Sequence, residues 1–301
     1  MIDVIDPHVH LFDLAKGQYH WLNSLDARKR QCVAKSATFE SLSLPSFMRL
    51  SAFVHIEAGY DNAHPVNEMA MLTERNTLHH KAIGFADLSA SEEAFRRSVD
   101  TQMRHPNFAG IRDIISNICH HTDNTCEQQR ALKLLDSPVI NANLDYLSSK
   151  KHAIAYIFEL QFDCSNASLT DKVIQVFERH PKLKIVLNHA GFAPLGQPQA
   201  FARWDSSLQK LSALTNMHVK CSGWEMSKDD YQFSELREAL KVLTQHFDSK
   251  RLMLASNFPL TEFAYSYTEY WQGLFDACRA LGLSFETLAH DNAKRFYFTT
   301  T

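Results

Sequence analysis

Eight times along this 301-residue chain a short apolar run rich in β-branched residues gives way to a longer amphipathic stretch. A strand covered on both faces reads as a short continuous apolar run, whereas a helix packed on one side repeats its apolar residues with a period near 3.6. The runs at 4–10, 52–57, 82–87, 108–114, 153–161, 183–189, 217–222 and 251–257 are the predicted strands. Amphipathic stretches at 66–80, 92–105, 127–149, 169–180, 199–215, 233–247 and 267–281 are the predicted helices, and a last short helix over 288–297 caps the chain. Eight such pairs in about 300 residues specify an α/β fold, a closed parallel (β/α)8 TIM barrel ringed by helices. The rhythm breaks once, over residues 11–50, which contain Pro45 and several Lys and Arg residues. That is long for a barrel loop, so an insertion after the first strand is expected to build part of the mouth. A doubly wound open sheet is the alternative, but no Gly-x-Gly-x-x-Gly follows the first strand to hold a pyrophosphate.

Only nine glycines are present, and no Gly/Ser tract marks a boundary, so residues 1–301 are read as one domain. Lys and Arg total 31 against 34 acidic residues, a formal charge of −3, and the basic residues are dispersed. Nucleic acid and anionic membrane are therefore poor partners, and a small molecule is the expected one. No apolar run approaches the ~20 residues of a membrane span, and Asp3 and Asp6 stand where a signal peptide needs basic and then apolar residues, so a cytoplasmic location is expected. The six cysteines form no Cys-x-x-Cys pair, which predicts reduced, mostly buried thiols. Of the 16 histidines, those in polar stretches, such as His79, His80, His120 and His121, are expected at the surface. Aromatic residues near Trp204, Trp224 and Trp271 are taken as exposed, which leaves room for a homodimer.

The remaining histidines lie at the ends of apolar runs. His8 and His10 are two apart, so from one strand they project the same way, into the barrel. Such a pair can share a divalent cation, or can together hydrogen-bond a substrate carbonyl or carboxylate. The same parity argument puts His55 with Glu57, Glu159 with Gln161, and His218 with Lys220 and Ser222; Arg112, His189 and Asn257 end the fourth, sixth and eighth runs. Polar groups at the C-terminal strand ends of a barrel are where its catalytic residues collect. His55, Arg112, Glu159, Gln161 and Lys220 are the candidate substrate-binding residues. For His55, Glu57 and Lys220 a buried, hydrogen-bonded plug is the competing reading.

Ile5-Asp6-Pro7-His8-Val9-His10-Leu11-Phe12-Asp13, then Tyr19-His20-Trp21-Leu22, resembles the opening of the amidohydrolase-related, lactonase-like hydrolases, which include fuconolactonases and pyrone-dicarboxylate lactonases. The resemblance continues in order through Val54-His55-Ile56-Glu57, Gly84-Phe85-Ala86-Asp87, Gly110-Ile111-Arg112, Phe158-Glu159-Leu160-Gln161, Leu187-Asn188-His189-Ala190-Gly191, Val219-Lys220-Cys221-Ser222-Gly223 and Ser256-Asn257-Phe258-Pro259, to Asn292-Ala293-Lys294-Arg295-Phe296-Tyr297. It implies that His8, His10 and His189 bind the electrophile or one divalent metal, zinc or manganese, many lactonase members acting without any. It further implies that Arg112 contacts substrate oxygens and that an acid at the end of the eighth strand activates water.

Here that last position is Asn257, a carboxamide, which cannot take a proton from water. It also removes one negative charge from any metal site. Glu262 would substitute if its loop folds inward and is a solvated acid otherwise; His189 or Glu159 could serve instead. The expected activity is hydrolysis of a small carboxylate- or sugar-derived lactone, with His189, Asn257 and Glu262 as the candidate catalytic residues. A barrel that binds such a molecule without turning it over and a metal-dependent decarboxylase are the alternatives.

Overall fold

A computed structural model of the chain describes residues 1–75, 78–118, 125–149 and 156–299. Eight strands run in sequence order around one parallel sheet: β1 Ile2–Val9, β2 Met48–Ile56, β3 His80–Phe85, β4 Phe108–Ile114, β5 Ile157–Gln161, β6 Lys184–Leu187, β7 Met217–Cys221 and β8 Leu252–Leu254. The barrel closes just beyond β8, where Val9 bridges Phe258, His10 N–H donates to Phe258 O at 2.7 Å and Asn257 N–H donates to His8 O at 2.9 Å. The eighth strand is thus three residues long, not the seven that its apolar run suggested, because the chain leaves the ladder to form this seam.

Outside the sheet lie α1 Ala27–Val33, α2 Val66–Arg75, α3 Glu92–Met103, α4 Thr125–Asp136, α5 Pro138–Leu147, α6 Ala167–Phe177, α7 Pro198–Leu211, the single turn α8 Trp224–Ser227, α9 Phe233–His246 and α10 Tyr267–Leu281. The predicted helix 127–149 is two helices, since Pro138 has no N–H to continue the first and instead opens the second. The helix predicted over 66–80 stops at Arg75, and His80 begins β3. His80 is consequently not a surface residue: it stacks on Phe53 with ring centroids 5.2 Å apart, and its Nε2 lies 2.9 Å from Asn107 Nδ2. Cys119, His120, His121, residues 76–77 and the first residues of the predicted fifth strand lie outside the described residues.

Two apolar layers hold the barrel. Between sheet and helices sits the larger one, which includes Trp204, Trp224 and Trp271, each at most 1% exposed. These tryptophans therefore offer nothing to a dimer interface; among the described residues the exposed large apolar side chains are Met1 and Phe47. Cys126 is exposed, contrary to the buried-thiol expectation, while Cys164, Cys221 and Cys278 are buried. The smaller layer fills the barrel interior with Val54, Ile56, Ile83, Val186 and Met253, and the chain's final segment closes it from below with Phe296 and Tyr297. The predicted capping helix exists there as two wide π-type turns, Thr287–Asp291 and Lys294–Phe298. From the expected insertion, Trp21, Ser24 and Leu25 reach the wall of the mouth, while its last residues, from Met48, already belong to β2 and pair with the start of β1 at the other end. Among the described residues no helix is long and apolar enough to cross a membrane.

Candidate active site

A cavity of about 480 Å³ opens at the C-terminal ends of the strands, and His10, Arg112, Gln161, His189 and Asn257 are among the residues that line it. A hollow of about 630 Å³ at the other end of the barrel, between Asp3, His79 and Arg295, contains none of the strand-end groups.

Three imidazoles converge at the cavity floor. His8 and His10 bring their Nε2 atoms to 3.2 Å, and the rings of His8 and His189 lie 4.5 Å apart. All three are buried. Burial, followed by the positive charge of Lys220 for His8 and of Arg112 for His10 and His189, holds each well below the ordinary histidine range, so the rings are neutral near pH 7. Their partners fix the protons. His10 Nδ1 lies 2.9 Å from Ile56 O, which only accepts, so its Nε2 bears the lone pair. Lys220 Nζ lies 3.4 Å from His8 Nδ1 and donates to it, which puts the His8 proton on Nε2, pointing at His10. The hydrogen-bond pattern closes without an ion.

A divalent cation held by this pair would need lone pairs on both Nε2 atoms. The His8 proton would then move to Nδ1 and face an ammonium group. The eighth-strand position offers a carboxamide, and among the described residues no group of three His, Cys, Asp or Glu side chains is disposed around a common point. In this arrangement the donor set does not fit a divalent metal.

Lys220 and Glu159 are fully buried and pair at 2.6 Å, and Tyr297 donates to the other Glu159 oxygen at 2.5 Å. Burial lowers Lys220 to about 8 against the opposing pull of Glu159. Neither residue lines the cavity, so their expected contact with substrate is corrected to the buried, hydrogen-bonded plug. His55 is corrected as well, because it faces outward: Val54 and Ile56 fill the barrel interior, while His55 Nε2 meets Glu68 of α2 at 2.9 Å and its Nδ1 accepts from Leu11 N–H. Glu262 does not fold inward; it pairs with Lys35 at 2.8 Å on the surface side of its loop. Arg112 does reach the cavity. Its Nε donates to Glu57 Oε1 and its Nη2 to Glu57 O, both at 2.7 Å, and its Nη1 lies 3.3 Å from Gln161 Oε1.

His189 and Asn257 share a backbone feature that no residue pattern announced. Both adopt left-handed conformations, with φ of 54° and 64°, His189 two residues past β6 and Asn257 three past β8. For His189 this costs about 1–2 kcal/mol; asparagine enters the region more readily. Strain of this kind persists where surrounding structure holds a side chain in a required direction. His189 Nδ1 lies 3.1 Å from Ser222 Oγ, leaving Nε2 for the cavity. Gly223, with φ of 73°, backs onto the same ring: a Cβ placed there would stand 2.6 Å from His189 Nδ1.

Glu225 joins the site without belonging to any of the sequence motifs. It sits on α8, is 1% exposed, and accepts from Asn257 Nδ2 at 2.6 Å. Burial raises its carboxyl to about 7, opposed by the Asn257 hydrogen bond. The available signal was a lone acid between Trp224 and Met226, just past the end of a barrel strand.

Against known proteins, residues 163–299 match the amidohydrolase family model. Over 98% of each chain, the sequence is 26% identical to y4mH, an uncharacterised protein of Sinorhizobium fredii. It is 22% identical to the L-fucono-1,5-lactonase of Burkholderia ambifaria, covering 91% of this chain and 87% of that one. In structure, it resembles an amidohydrolase of Burkholderia multivorans solved with bound zinc, with a TM-score of 0.75, 21% identity and 98% coverage of both chains. The barrel, the strand-end histidines and these matches make the chain similar to amidohydrolases and, among them, to the lactonase-like group.

Proposed function

We propose that the protein hydrolyses a small, neutral, polyhydroxylated lactone such as a sugar 1,5-lactone. The observation that carries this reading is the shared cavity of Arg112, neutral His189 and Asn257. Arg112 is the one fixed cation among the described lining residues, and Glu57 already balances it. Asp113 is raised to about 6, chiefly by burial. Asp113 is therefore mostly ionised near pH 7, and a lining with no spare cation suits hydroxyl groups better than a dicarboxylate, which would add two uncompensated negative charges. Trp21, held by its indole N–H on Ala58 O at 2.8 Å, adds an aromatic wall to the mouth, against which a sugar ring can lie.

In this reading Arg112 binds the carbonyl oxygen and stabilises the negative charge that grows there. The His8–His10 pair, having spent its N–H groups on each other and on Ile56, shapes the floor instead of polarising the carbonyl. A water next to Asn257 attacks the carbonyl carbon, and His189 Nε2 takes its proton, with Nδ1–H donating to Ser222. The bond from carbonyl carbon to ring oxygen breaks, and His189 passes the proton to that oxygen, giving the open hydroxy acid. An activated cyclic ester needs less from its base than an amide, which suits an imidazole of low basicity.

The test is a panel of sugar 1,5-lactones and pyrone dicarboxylates followed by proton release. Native protein is expected to open at least one sugar lactone, and His189→Ala to lose about 10²-fold or more. No acceleration over spontaneous hydrolysis with any lactone, with or without added zinc or manganese, refutes the reading.

Asn257 itself favours one second reading, a binding barrel without turnover. Asn257→Asp separates the two: hydrolysis that appears only in this variant assigns the native chain to binding, whereas a lactonase already turns over with asparagine.

A further inference from the structure

Asn257 is an amide with one end tied. Its Nδ2 donates to Glu225 Oε1, which leaves Oδ1 as the end available to the cavity it lines. Glu225 reaches it from a different strand end: β7 finishes at Cys221, Gly223 turns with positive φ against His189, and α8 carries the acid to the Asn257 amide. Among the described residues the second oxygen of Glu225 is buried without a hydrogen-bond partner, and so are the hydroxyls of Ser227, Tyr231 and Thr261. A buried carboxyl with one oxygen committed and one idle is costly unless it serves the group it holds.

We infer that Glu225 is a positioning residue for hydrolysis: the carboxyl that the end of β8 lacks is supplied from β7, and its protonation decides which end of the Asn257 amide faces the substrate. The inference rests on the lactonase reading for its catalytic consequence, but its structural content stands apart from it. An ionised Glu225 only accepts, so it holds Nδ2 and turns Oδ1 toward the cavity, where that oxygen accepts a hydrogen from the attacking water and aims its lone pair. A protonated Glu225 can donate to Oδ1 instead. The amide then turns over and presents N–H, which misdirects the water.

Burial places this exchange near neutrality, with a Glu225 pKa of about 7. The groups that face the carboxyl from neighbouring elements are Asn257, which lowers it, and Lys29 of α1, which lowers it further. Tyr231, and Tyr270 of α10, approach as neutral phenols whose own ionisation is pushed up by burial and by Glu225. Glu262, in the turn after β8, is directed away to Lys35.

Two measurements test this. The first is a titration of the Asn257 side-chain amide by nitrogen–proton NMR without substrate, its resonances assigned by their loss in Asn257→Asp. They are expected to shift with a midpoint near 7 in native protein and to stay flat in Glu225→Gln. A flat native titration overturns the inference whatever the enzyme does with lactones. The second is the pH–rate profile on a lactone that native protein opens. An acid limb near 7 is expected to vanish in Glu225→Gln, with kcat reduced about tenfold or more and KM within about threefold, and to return in Glu225→Asp. Native kcat and an unchanged limb in Glu225→Gln overturn it. If Glu225→Gln fails to fold, the native titration and the aspartate variant decide. Absence of lactone turnover refutes the proposed reaction while leaving the amide titration to judge this inference alone.

Discussion

Replacing Gly223 with alanine should disable the site by moving one ring. A Cβ at that position stands 2.5 Å from His189 Cβ and 2.6 Å from its Cγ and Nδ1, where ordinary contact begins at 3.4 Å. The imidazole must therefore retreat by about 0.8 Å, or the turn must open by as much, and a misplacement of about 1 Å can cost 10²-fold in rate. Two stability costs add to this. Alanine at φ 73° carries about 1–2 kcal/mol of left-handed strain, and forcing a methyl group into a packed site costs typically 1–3 kcal/mol. The variant should unfold at lower urea, with ΔG reduced by about 2–5 kcal/mol. Under conditions where it is still folded, its kcat should fall by about 10²-fold while KM changes less. A Gly223→Ala protein within about 0.5 kcal/mol of native stability and within twofold of native kcat refutes the claim that this glycine exists to admit the His189 ring.

Lys220→Met should cost about 3–5 kcal/mol in urea unfolding, because Glu159 is left charged and buried, whereas Lys220→Met with Glu159→Gln should recover most of it; equal loss in both proteins argues against an ion pair as the cause. His218, which packs on Phe296 with ring centroids 4.4 Å apart, is lowered to about 4, chiefly by burial, so the unfolded chain takes up its proton first. Its contribution to stability is complete above about 6.5 and is lost as pH falls through about 4. Unfolding free energies at pH 7.5 and 4.5 should therefore differ less in His218→Leu than in native protein, by on the order of 2 kcal/mol, and an unchanged difference refutes the assignment.

The barrel was legible because its strands are buried on both faces and each is followed by an amphipathic partner; β4 and α10 match their predicted spans to the residue. Parity carried the interior residues where strands are regular, as at Glu159 and Gln161, with Phe158 and Leu160 turned to the helices. It failed at His55, since nothing in the alternation said which of the two faces of β2 looks inward, and the β1–β2 register is itself irregular. Pro138 announced its helix break and was passed over within a longer pattern. The left-handed backbones of His189 and Asn257 were illegible for a different reason. Neither residue is glycine, and although histidine and asparagine enter the left-handed region more often than most side chains, the preference is too weak to single out two positions. Glu225 was hidden likewise, since its meaning lies in an asparagine 32 positions away.

From Tyr297 the bonds run without a gap: its hydroxyl to Glu159, Glu159 to Lys220, Lys220 to His8, His8 to His10 and His10 to the Ile56 carbonyl. Each link dictates the polarity of the next, so the orientation of a proton at the mouth is answerable to a phenol in the last turn of the chain. A change at that far end, in a region with no substrate to touch, would loosen Glu159 and Lys220 and so weaken the bond that keeps the His8 proton on Nε2. Tuning this site from underneath is thus as open to mutation as tuning it from its loops.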